Sequence, residues 1–200
     1  GGKPTDMELV DGTNILAITN EETHLISLYQ VLNNGLSALA DIKVCTYPRH
    51  VQYEPEQGLL FVSGMWSQQL AVVKLDRQDP SGSSLVQTVD MAFTPHNIVF
   101  LPDHKHMVVG DCHGGNLMLF DMTNASQGKL KSLGKRVFPG HNVRGLQISA
   151  DGQMLIVAHQ MLNELAHTVR NDVHWGLLMS NDLRWLKVES VLKGGDDLYT

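Results

Sequence analysis

Four stretches of this chain can be set level without a gap for seventeen positions. Begun at Pro4, Pro48, Pro95 and Val143, they read "PTDMELVDGTNILAITN", "PRHVQYEPEQGLLFVSG", "PHNIVFLPDHKHMVVGD" and "VRGLQISADGQMLIVAH". Their starts lie 44, 47 and 48 residues apart. In each phrase a short apolar strand (7–10, 51–53, 98–101, 146–148) runs into a turn rich in Asp, Gly, Pro or His, and a second strand (15–18, 59–62, 107–109, 155–157) leaves it. Turn residues between two β-branched, alternating runs predict a β-hairpin. A third strand follows in "HLISLYQV", "QLAVVKLD", "NLMLFDM" and "DLRWLKV". Weaker fourth strands are readable in "LSALADIKV", "SLVQTVDM" and "LKSLGKRVF".

Four antiparallel strands in a repeat of about 45 residues predict an all-β fold, the β-propeller, in which each sheet is a blade buried against its neighbours. Period-two patterning excludes a solenoid of helix pairs, and a single sandwich has no need of a repeat. The expected blades cover about 4–44, 48–91, 95–139 and 143–192 of one propeller domain or segment, as a partial or small ring, with an insertion at about 160–181. If its strand is buried between blades, Ile156→Ala should cost about 2–5 kcal/mol.

Composition narrows the partners. The net charge of -6 argues against nucleic acid and anionic membrane surfaces, which select clustered Lys and Arg. No apolar run approaches the roughly 18 residues of a membrane span. Cys45 and Cys112 are too few for a disulfide scaffold and read as two isolated thiols, with a bridge between them as the other arrangement. The opening "GGKPTD" carries no secretory leader and reads as the edge of an excised segment.

The repeat resembles the YVTN-type propeller repeats of bacterial extracytoplasmic proteins over about residues 4–188. Its last unit, "MLNELAHTVRNDVHWGLLMSNDLRWL", is similar to propellers fused to c-type cytochrome or di-haem peroxidase-like modules. The resemblance implies an extracytoplasmic (periplasmic or secreted) setting and a cytochrome or peroxidase-like partner domain. It also implies a ring of about seven blades. Covalent haem attachment needs CxxCH, and "DCHGG" has one Cys before its His, so haem would belong only to a module outside this sequence.

In such a blade the first strand lines the central channel, and the hairpin returns the second strand to the end where the first began. Residues opening strand one and closing strand two therefore meet at one channel mouth. Thr5, Arg49, His96 and Arg144 form one level there; Asp6, His50, Asn97 and Gly145 form the next; Asn20, Gly64, Asp111 and His159 close strand two. Three readings stay open. The rim can be solvated polar entry residues. It can be a site for a small anion, with forked donors from Arg49 and Arg144 and with His50, His96 and Asn97 beside them. It can also hold a metal ion on His96, Asp111 and His159, since imidazole and carboxylate suit Zn, Cu or Fe.

The fourth unit breaks the rhythm with about twenty residues between its second and third strands. Long insertions in compact folds usually serve function, and the apolar residues of this one imply packing. It is expected to touch a partner or further domain through His167, Arg170, His174 and Trp175, or to act as a lid, with a helical turn in "MLNELAHTV". "HKH" at His104 to His106 reads as a solvated turn. No GxSxG elbow, phosphate loop or paired-carboxylate signature offers a nucleophile. The chain thus reads as a non-catalytic binding or docking propeller, leaning away from an enzyme, with homo-oligomerisation as one way to cover open blade faces. The alternative is a hydrolase or lactonase-like propeller with a metal or anion site at the channel mouth.

Overall fold

Strand two of each expected blade is apolar at every position or at alternate ones, so at least one of its faces must be covered by a neighbouring blade. The computed structural model describes residues 2–163, 165, 167–174, 176, 178–194 and 198. In it the strands fall into four antiparallel sheets taken in chain order. The first holds β1 (Pro4–Leu9), β2 (Ile15–Asn20), β3 (Leu25–Leu32) and β4 (Gly35–Lys43). The second holds β5 (Pro48–Glu54), β6 (Leu59–Gly64), β7 (Gln69–Lys74) and β8 (Ser84–Asp90). The third holds β9 (Pro95–Phe100), β10 (His106–Asp111), β11 (Asn116–Asp121) and β12 (Lys131–Val137). The fourth, three-stranded among the described residues, holds β13 (His141–Ile148), β14 (Met154–Leu162) and β15 (Met179–Lys187). Among the described residues two short α-helices, α1 (Arg170–His174) and α2 (Val188–Lys193), and two 3-10 turns at Pro80–Gly82 and Ala125–Gln127 complete the order.

Within each sheet the strands pair in sequence order, and the four opening strands β1, β5, β9 and β13 pack one against the next. This is a β-propeller arrangement of blades about a common axis. Three apolar cores lie between blades rather than within one. Ile26, Leu28 and Ala17 of the first blade meet Leu60, Val62 and Val73 of the second. Leu59, Phe61 and Val72, on the other face of that second blade, meet Met107, Val109 and Phe120 of the third. Leu117, Leu119 and Val108 then meet Leu155, Val157 and Leu186 of the fourth. Strict alternation along β6 sends successive side chains to opposite interfaces, which is why every residue from Leu59 to Gly64 is buried. The blades approach closely enough that a Cβ on Gly110 would lie 2.8 Å from Val143 Cγ1.

The fourth blade departs from the sequence expectation in three places. β14 runs on to Leu162 and β15 starts at Met179, so the insertion is shorter than 160–181; both its ends are paired strand, with Leu162 opposite Met179. The described residues of "MLNELAHTV" hold no helix: Met161 and Leu162 are strand, and a helix falls at Arg170–His174. Ile156 is only half-buried, because it points away from the third blade while Leu155 and Val157 point into the shared core. Leu183 and Trp185 stand exposed on β15 of the same sheet. Both cysteines are buried free thiols, and burial pushes the Cys45 thiol up to about 12.

Leu155→Ala is therefore expected to cost about 2–5 kcal/mol in urea unfolding, and Ile156→Ala clearly less. Equal costs for the two would mean that the open side of β14 is covered in solution.

Candidate functional site

At the opening of each inner strand the ladder slips, and it slips at the level where the sequence collects its titratable residues. Pro4 and Asp6 face the consecutive residues Asn20 and Thr19, so Thr5 is an extra residue. Pro48 and His50 face Gly64 and Ser63, so Arg49 is extra. Between the pairs Pro95–Asp111 and Ile98–Val109, His96 and Asn97 oppose Gly110 alone. In the fourth blade three residues, Asn142 to Arg144, oppose His159 alone. A bulge bends its strand and re-aims the side chain it carries, and such bulges concentrate beside active sites. Here four of them, on adjacent inner strands, carry Thr5, Arg49, His96 and Arg144.

The best-formed contact in this rim joins two blades. Asp6 Oδ2 lies 2.6 Å from His50 Nδ1 and also accepts the backbone N–H of Val51 at 3.0 Å. Burial pushes the Asp6 carboxyl upward, but the His50 hydrogen bond, the Val51 amide and the His50 charge together outweigh it, leaving the group below its ordinary range. An ionised carboxylate can only accept, so His50 Nδ1 carries the proton and its Nε2 keeps a lone pair in the neutral ring. Thr5 adds a second tie across the same junction, its hydroxyl donating to the Pro48 carbonyl at 2.8 Å.

His96 stacks nearly parallel to His50, with ring centroids 6.0 Å apart and planes 15° apart. Burial lowers its pKa; the Asn97 side chain opposes that shift, while His50, Arg49 and Arg144 reinforce it. His96 Nδ1 and Asn97 Oδ1 are both buried without a hydrogen-bond partner among the described residues. Ser63 Oγ fixes the His96 backbone by donating to its carbonyl at 2.9 Å. Arg49 is half-exposed and lies 3.6 Å from Glu21, and Arg144 donates to Cys112 Sγ at 3.5 Å. The structure thus brings together Arg49, His50, His96, Asn97 and Arg144 and adds Asp6 and Glu21. The repeat set Asp6 and His50 at one level of adjacent blades, but spacing alone did not show that the two side chains bond.

The proposed metal trio does not assemble. Among the described residues His96, Asp111 and His159 form no group with ligand atoms within 4.8 Å of one another. Both Asp111 oxygens serve a turn, accepting from His113 N at 3.1 Å and Asn116 Nδ2 at 2.6 Å. His159 is buried edge-on against Phe138, 5.0 Å between ring centres, with Nδ1 3.0 Å from the Gln160 carbonyl. Turn-capping and interblade packing have claimed both residues. Among the described residues it is Glu54, Glu56 and His104, where the hairpin turns of the second and third blades meet, whose ligand atoms lie within 4.8 Å of one another. "HKH" is accordingly not all solvated turn: His106 opens β10 and pairs with Asp103 at 2.6 Å. In the insertion, His167, Arg170 and His174 are exposed, the last two within α1, and Trp175 lies outside the described residues.

A family model described as "Lactonase, 7-bladed beta-propeller" matches residues 10–183. No curated protein matches. A Lactobacillus plantarum protein of solved structure is 19% identical, with a TM-score of 0.69 over 93% of this chain and 59% of its own. A Bacteroides fragilis protein proposed to be a 6-phosphogluconolactonase gives 14% and 0.67 over 92% of this chain and 55% of its own. A periplasmic gluconolactonase of Pseudomonas aeruginosa gives 16% and 0.62 over 92% of this chain and 56% of its own. The chain spans less than two thirds of the length of these structures, close to the share that four blades take of a seven-bladed ring.

The family match corrects the expectation of a non-catalytic docking module and the lean away from an enzyme. The absence of a nucleophile motif weighed against catalysis, yet a lactone can also be opened by an activated water without a side-chain nucleophile. The family model covers most of the chain, and the chain belongs to the lactonase family of seven-bladed β-propellers.

Proposed function

We propose that these blades carry part of a lactonase site, in which the Asp6–His50 pair activates water against the carbonyl of a sugar-acid lactone. The observation that carries this reading is the 2.6 Å Asp6–His50 contact at a bulged channel mouth, with two guanidinium groups nearby. His50 Nε2 takes a proton as water adds to the ring carbonyl carbon, and negative charge grows on the carbonyl oxygen. Arg49 and Arg144 supply cationic donors to that oxygen or to an anionic substituent. The ring C–O bond then breaks, the imidazolium returns its proton to the departing alkoxide, and the product is an open-chain hydroxy acid. Asp6, ionised throughout, holds the tautomer and steadies the imidazolium. His96 and Asn97 form the polar wall beside it. Sugar-acid lactones fit as substrates because one similar structure is described as a gluconolactonase and another as a proposed 6-phosphogluconolactonase. An extracytoplasmic setting accords with the periplasmic description of one of them.

Hydrolysis of D-glucono-1,5-lactone followed by acid release is the test. His50→Ala is expected to lower kcat/KM by about 10²–10⁴-fold, the usual worth of a general base, with Asp6→Asn lowering kcat and leaving KM nearly unchanged. Turnover unaffected by His50→Ala would sink the assignment.

The buried His96 has a separate consequence for stability. Its pKa is depressed in the fold, so protonation favours the unfolded chain. The stabilisation is fully present above the unfolded value of about 6.5 and is lost as pH falls from there through the folded value. The melting temperature should fall on acidification from pH 7 to pH 5, and His96→Gln should flatten that dependence. An unchanged slope in the variant would place the loss on another group.

A further inference from the structure

Trp66 stands 63% exposed on the loop between β6 and β7. Its ring lies 6.2 Å from that of His113, on the corresponding loop between β10 and β11, with planes 39° apart. At that distance and tilt the two rings do not close face on face. They form an open V, and among the described residues the Trp66 ring stacks on no other ring.

The surrounding bonds tie this pair to the mouth. Met65, next to Trp66, donates its N–H to the carbonyl of Tyr47, two residues before Arg49. Ser63, three residues before Trp66, holds the His96 carbonyl. The His113 carbonyl accepts from Asn142 N in the bulge that presents Arg144, and Cys112, before His113, accepts from Arg144 itself. The segments that place Arg49, His96 and Arg144 are therefore bonded to the loops of Trp66 and His113 or to the strand that leads into the Trp66 loop.

We propose that Trp66 and His113 form a subsite that takes the C–H face of a polyhydroxylated six-membered ring. The aliphatic C–H bonds of such a ring carry partial positive charge and pack on the negative face of the indole, while its hydroxyls reach the His113 ring nitrogens. This deepens the lactonase reading and rests on it: Trp66 sets which ring is held, and the Asp6–His50 pair acts on the carbonyl. Trp66 is a specificity-determining residue and takes no part in proton transfer.

The probe is D-glucono-1,5-lactam, a ring-closed analogue whose amide resists hydrolysis, titrated calorimetrically into the chain and into Trp66→Ala and Trp66→Phe. Turnover of D-glucono-1,5-lactone is measured on the same samples. Trp66→Ala should weaken lactam binding about tenfold and raise KM in step with kcat unchanged, and Trp66→Phe should stay within about threefold of the parent. The proposal is overturned if the parent takes up no lactam, if Trp66→Ala binds it as the parent does, or if Trp66→Phe is as weak as Trp66→Ala. Binding of the lactam needs no hydrolysis, so the two readings fail separately. Lactam held through Trp66 by a protein without turnover sinks the lactonase reading alone, whereas turnover with KM untouched by Trp66→Ala sinks the subsite alone.

Discussion

One carboxylate does two jobs at the junction of the first two blades. Asp6 Oδ2 accepts the Val51 amide and faces His50 Nδ1, so the contact that ties β1 to β5 is also the contact that sets the His50 tautomer. A charge at the edge of a half-buried interface is costly unless it is hydrogen-bonded, and Asp6 meets two donors there. Fold and site share the interaction. The candidate base is held by the interface itself, with no loop needed to bring it into place.

The same economy runs through the other rim positions. Each inner strand enters its sheet through a bulge, and the extra residues are Thr5, Arg49, the His96–Asn97 pair and the stretch ending at Arg144. Bulging costs ladder hydrogen bonds at the strand end, where solvent and neighbouring loops can replace them, and it re-aims side chains that strict alternation would place on a blade face. Behind this rim the strands pack their apolar faces between adjacent blades, which gives the site a rigid frame.

The propeller was legible because period-two patterning, turn residues and a repeat of about 45 residues all point to one architecture. The convergence of Arg49, His50, His96, Asn97 and Arg144 was legible as well, since a repeat places equivalent residues at equivalent heights. What could not be read were the side-chain partners. Whether Asp111 serves a metal or its own turn depends on Asn116 and the His113 amide folding back on it, a local geometry that spacing does not encode. His159 looked equivalent to Asp111 and instead packs against Phe138 of the preceding blade. Ile156 and Leu155 are equally apolar in sequence, and only the order of blades decides which of them meets a neighbour. The lean away from catalysis came from looking for a nucleophile, a requirement that water-driven ring opening does not have.

The central claim is that Asp6 holds His50 with its proton on Nδ1 and a free lone pair on Nε2. Two-bond ¹H–¹⁵N correlation of the imidazole groups, with His50 assigned by its loss in His50→Gln, reads that tautomer directly. The account predicts the Nδ1–H tautomer for the neutral form of the His50 ring, converted to a mixture of tautomers in Asp6→Asn. An Nε2–H form, or a mixture already present in the parent chain, would contradict it.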